Sequence, residues 1–146
     1  MKKTLSLTIS ILFLIFAFTA CSTQPQYELN AETANREIAQ GDTFVVRVYT
    51  KNIGGDDHYR GSSTKVGASA RLFIQTDAGR QYLNCDPIPV NDDVTDNVFA
   101  HDEVIAYDWV FHTDQNETSE GAYTLALSFF DAEKEISDFR TIRSKR

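Results

Sequence analysis

Gly121-Ala122-Tyr123-Thr124-Leu125-Ala126-Leu127-Ser128-Phe129-Phe130 decides the fold. Tyr123, Leu125, Leu127 and Phe129 fall on one side of this run, and the residues between them are mostly small or hydroxylated. A period of two is that of a half-buried strand, because successive side chains of extended backbone point to opposite faces. Upstream, Phe44, Val46, Val48 and Thr50 share one face of the stretch from Thr43 to Asn52, while Val45, Arg47, Tyr49 and Lys51 share the other. A third stretch sets Ile105, Tyr107, Trp109 and Phe111 against Val104, Ala106, Asp108 and Val110. The aromatic set is the inward one, which makes Trp109 a core residue.

Working outward, turn-forming residues separate further short strands. Tyr27 to Ala31 is the first, and Ile38 anchors a short edge segment before the turn Gln40-Gly41-Asp42. Alternation resumes at Val66, Ala68 and Ala70, continues through Leu72 and Ile74, and closes at the hairpin signal Asp77-Ala78-Gly79-Arg80. Gln81 to Cys85 reads as a short strand, after which Pro87 and Pro89 break the pattern and residues 91–97 form an acidic connection. Thr113 to Glu120 reads as a polar loop, Asp131 to Glu135 as a turn, and Ile136 to Ile142 as the closing strand. The expectation is an all-β chain, an immunoglobulin-like antiparallel β-sandwich of about seven strands over residues 27–146.

Gly121-x-Tyr123-x-Leu125 resembles the Gly-x-Tyr-x-Cys stretch of immunoglobulin-type domains, with Leu125 where the disulfide cysteine stands. The resemblance implies that Tyr123 is a tyrosine-corner residue whose ring enters the core and whose hydroxyl bonds backbone in the preceding loop. A broader order is similar to the bacterial BsuPI-type proteinase inhibitor domain: a strand ending in Asn52-x-Gly54, a hairpin at Gly79, Tyr107-x-Trp109 after His101-Asp102-Glu103, then Gly121-x-Tyr123. That family carries a Pro-Gly-Glu turn before the tryptophan strand, where this chain has His101-Asp102-Glu103. The resemblance implies an immunoglobulin-like fold and offers protease inhibition as an alternative function, but no inhibitory residue carries across.

The amino end has a different character. Lys2 and Lys3 precede an uncharged apolar run from Leu5 to Ala20, which ends at Cys21. This is the layout of a secretory signal peptide, and Phe18-Thr19-Ala20-Cys21 resembles the lipobox of bacterial lipoproteins. The resemblance implies a cleaved signal peptide over residues 1–20, lipidation of Cys21, and a short tether over residues 21–26, with the domain held at a membrane on its extracytoplasmic face. An uncut transmembrane anchor is the competing reading, since spanning a bilayer takes roughly 20 apolar residues. With Cys21 acylated, Cys85 has no partner for an intrachain disulfide, and it reads as a buried packing residue rather than a reactive thiol.

Removing Lys2 and Lys3 from the 14 basic residues leaves 12 against 21 acidic ones. A chain this acidic argues against nucleic acid as a partner, because that affinity comes from Lys and Arg neutralising phosphates. No nucleophile stands beside a base, and His58, His101 and His112 are not at zinc-ligand spacing from one another or from a cysteine. The expectation is therefore a chain that is not an enzyme, with no cofactor and no metal. Asp92, Asp93 and Asp96 could surround calcium, although they lack the order of a known calcium loop. The loop Gly54-Gly55-Asp56-Asp57-His58-Tyr59-Arg60-Gly61 combines glycine freedom with Tyr and Arg, residues enriched at binding hot spots. Asp56, Asp57, His58, Tyr59 and Arg60 are the candidate contacts for a protein partner in the cell envelope.

Overall fold

A computed structural model describes residues 24–58, 67–89, 98–114 and 117–145. The expected signal peptide with Cys21, the loop residues Tyr59 and Arg60, and the acidic segment with Asp92, Asp93 and Asp96 lie outside the described residues. Among the described residues the chain is all-β, with eleven strands and no helix. One sheet has four strands in the order β1 (Tyr27–Glu32), β3 (Thr43–Asn52), β9 (Val104–His112) and β7 (Asn84–Pro89). The other has five, in the order β2 (Glu37–Ala39), β11 (Ala132–Arg143), β10 (Gly121–Phe129), β5 (Ser69–Thr76) and β6 (Gly79–Tyr82). A two-stranded clasp joins β4 (Asp57–His58) to β8 (Val98–Phe99). All pairings are antiparallel except β2 with β11.

The period-two faces read from sequence become the core. Phe44, Val46 and Val48 of one sheet and Leu72, Tyr123, Leu125 and Leu127 of the other belong to one buried cluster. Two sheets sharing a core through their inward faces are compatible with a β-sandwich. Tyr123 is fully buried, and its hydroxyl donates to the Ser119 carbonyl at 2.9 Å. Trp109 stops short of full burial; it packs against the cluster while its indole N–H donates to the Ala68 carbonyl at 3.2 Å.

Several elements differ from the sequence expectation. Pro87 and Pro89 do not end a strand, because β7 runs through them. Among the described residues it pairs only with β9 and forms the sheet edge, where a residue whose N–H position points away from the partner forfeits no ladder bond. The segment read as one strand over Gln81 to Cys85 is two: Leu83 N–H still bonds the Leu72 carbonyl, and then the chain crosses to the other sheet. The turn expected over Asp131 to Glu135 shrinks to Phe130 and Asp131, since Phe129 already pairs with Ala132. Glu133, Lys134 and Glu135 are exposed strand residues with no buried face, so no apolar alternation marks them. Opposite Thr124, β11 also carries a register shift around Asp138, which has a φ of 51°.

That irregularity precedes Arg140, which is 2 % exposed. Its guanidinium carbon lies 4.6 Å from the Phe44 ring centroid, and Nε and Nη1 have no hydrogen-bond partner among the described residues. Burial pulls its pKa below the usual guanidinium value.

Candidate functional site

The loop singled out in sequence begins where β3 ends, and its base is built on Asn52. This side chain is fully buried; Nδ2 donates to the carbonyls of Gly55 (2.8 Å) and Phe99 (2.7 Å), and Oδ1 accepts from Gly54 N–H at 3.0 Å. One amide thus fixes the turn and ties it to β8. The first described residues lie against the same turn. Ile53 N–H bonds the Gln26 carbonyl and Gly55 N–H bonds the Gln24 carbonyl. Gly54 is so close to the backbone of Gln24 to Gln26 that a Cβ there would collide with it. Residues 24–26, read from sequence as tether, are therefore docked on the domain.

The candidate contacts separate into two kinds. Asp56 Oδ1 accepts from His101 N–H at 2.8 Å, and Asp57 Oδ2 accepts from the Tyr27 hydroxyl at 2.5 Å. His101 Nδ1 lies 2.7 Å from the Gly54 carbonyl oxygen, which makes that nitrogen the donor. Both acids fasten the stem of the loop. His58, by contrast, is exposed and pairs through backbone with Val98, in the last described position before Tyr59 and Arg60. Beneath the clasp, Phe99 is fully buried and stacks on Tyr27 at 5.8 Å between ring centroids, with Phe129 edge-on to both.

Sequence reasoning missed Asn52 and His101 as the residues that hold this loop. The available signal was a polar residue at the inward position ending an apolar strand, followed shortly by Gly54 and Gly55. Nearby, Asp102 is bonded to Lys51 at 3.0 Å, and that bond, with the charge of His101 beside it, holds the carboxyl below its usual range.

Other chemistry is dispersed. Cys85 packs at the edge of the core with Sγ 3.8 Å from the Ala70 carbonyl, and burial raises its pKa. His112 Nε2 meets Asp86 Oδ2 at 2.9 Å on the surface. Among the described residues no group of three or more His, Cys, Asp or Glu side chains is arranged to hold a metal ion. An open groove of about 920 Å³ runs beside the crossover from β1 to β2, lined by Thr33, Arg36, Val45, Arg47, Ile136 and Phe139 among others. Arg47 is held there by a two-point pair with Asp108 at 2.7 and 2.9 Å, which also keeps the Asp108 carboxyl below its usual range.

The fold and site together define an all-β protein whose most conspicuous polar construction is a fastened loop stem. No family model matches the sequence, and no curated protein matches it either. Among solved structures it is similar to beta-glucosidase from Listeria innocua in complex with gluconolactone, at a TM-score of 0.47 and 12 % identity. It is likewise similar to the same enzyme in complex with glucose, at 0.45 and 11 %. In both cases 81 % of this chain is covered but only 16 % of the enzyme chain. A likeness this distant says nothing about activity.

Proposed function

We propose that the mature protein is a lipoprotein anchored through Cys21 on the extracytoplasmic face of a membrane, whose domain is a non-catalytic immunoglobulin-like module that binds a protein partner in the cell envelope. The fold part of this reading is supported by sheet order. The orders β1-β3-β9-β7 and β11-β10-β5 correspond to the A-B-E-D and G-F-C arrangement of immunoglobulin sandwiches, and the Tyr123 to Ser119 bond is that of a tyrosine corner. The anchor part is supported by the uncharged run before Cys21.

The observation that carries the binding role is the fastened stem. Asn52, Asp56 and Asp57 fix the base of a loop whose next residues are the exposed His58, then Tyr59 and Arg60. A rigid base lowers the ordering entropy that a recognition loop gives up on binding. Crosslinking in envelope extracts should recover a partner with the parent protein that is lost with Tyr59→Ala combined with Arg60→Ala. An unchanged partner set would remove this loop from consideration. Labelled fatty acid should enter the parent protein but not Cys21→Ser. A protease panel tested against the soluble domain identifies whether the partner is a protease, the form suggested by the BsuPI resemblance.

A further inference from the structure

We infer that the end of the domain carrying Ile53 and Phe130 seats on the lipid surface itself, so that the protein stands on the membrane in one orientation. The inference rests on the anchor reading above and adds a second, non-covalent contact to it. Three observations converge on this end. The chain enters the domain here, with Gln24 and Gln26 bonded to Gly55 and Ile53. Only Ser22 and Thr23 separate Gln24 from Cys21, so at most about 11 Å of extended chain lies between the acylated residue and the docked backbone.

Among the described residues, Ile53, 43 % exposed, and Phe130, 69 % exposed, adjoin that entry. Ile53 is joined to Gln26 through backbone, and the Phe130 ring leans on Tyr27 at 5.9 Å and on Phe129 at 4.7 Å. The third observation is backbone. Phe130 is the first residue of a two-residue turn and has a φ of 51°. Glycine and asparagine adopt that conformation more readily, and water disfavours an exposed ring, so local preference and solvent both argue against Phe at this position. A bilayer interface reverses the solvent term, since aromatic and aliphatic side chains partition into the boundary between headgroup and acyl chain. Asp57 is bonded to Tyr27, Asp56 to His101 N–H, and Asp131 follows Phe130 in the turn, while Lys51 close by is paired with Asp102. The unpaired balance at this end is acidic, which matches a zwitterionic surface rather than an anionic one.

The test uses the full lipidated protein reconstituted in phosphatidylcholine vesicles. Phe130→Trp and, separately, Ile53→Trp add an emitter at the seat, while Trp109, bonded to Ala68, supplies the baseline in the parent protein. The added emission should lie to the blue of an exposed indole and lose intensity when lipids brominated near the headgroup end of the acyl chain are used, with Trp109 unaffected. Protein that floats with the vesicles but whose added emission ignores bromine in both variants overturns the seat and leaves the anchor standing. That outcome would turn Ile53 and Phe130 into a protein-facing patch. Protein that does not float with the vesicles overturns the anchor and the seat together.

Discussion

Arg140 occupies an inward position of β11 and is 2 % exposed, with Nε and Nη1 without a hydrogen-bond partner among the described residues. Burial pulls its pKa down, yet arginine does not lose its proton in proteins, so the group is a buried cation. Stacking on Phe44 returns about 0.5–2 kcal/mol, whereas removing the charge from water costs several. We expect Arg140→Met to raise the unfolding free energy by about 1–3 kcal/mol in urea titrations, and a loss would reveal a compensating partner for the cation. Tyr123 supplies a second test. Burial lifts its pKa above the unfolded value of about 10, so the folded state holds that proton more tightly. Its contribution is complete below about pH 10 and is lost as pH rises through the folded value. Tyr123→Phe removes the bond to Ser119, which should lower stability by about 1 kcal/mol near neutrality. The gap between variant and parent should then close on the alkaline side in thermal melts taken across that range.

At the scale of elements, the end of β3 is coupled to β8 through a single amide. Asn52→Ala leaves the carbonyls of Gly55 and Phe99 and the N–H of Gly54 without their partner in a partly buried turn, and we expect a loss of about 2–3 kcal/mol. Hydrogen exchange at Gly54 and Gly55 should rise well before that of β10, and equal protection would show that the clasp stands without the amide. The same contrast explains what sequence could disclose. β3 and β10 were legible because each buries one full face, which writes a period of two into the chain. β7 was hidden because the missing ladder bonds of an edge strand admit proline, and the start of β11 because Glu133 to Glu135 bury nothing. The clasp was hidden by length, since two residues carry no period and its anchor, Phe99, sits beside the acidic connection. Within the candidate loop, Asp56 and Asp57 were legible as polar loop residues, but their roles depend on His101 and Tyr27, which are distant in sequence and announce no partner.

For the whole molecule, the informative fact is that the entry of the chain and the candidate loop share one end. Under the anchor reading, a loop whose stem is fastened beside Gln24 starts close to the bilayer, and we expect a partner that it engages to be held in or on that membrane. Two tethered proteins meet at an effective concentration set by how far each can range. Inserting a glycine and serine spacer of about 20 residues between Thr23 and Gln24 would let the domain wander by about 25 Å, without touching any residue of the loop. We expect crosslinks that depend on Tyr59 and Arg60 to fall steeply with this insertion while fatty-acid labelling of Cys21 is unchanged. A shorter insertion should give an intermediate yield, because effective concentration declines smoothly once the span exceeds the distance to be bridged. A crosslink yield indifferent to spacer length would show that the partner is not confined to the same membrane, and tethering would then have no part in presenting the loop.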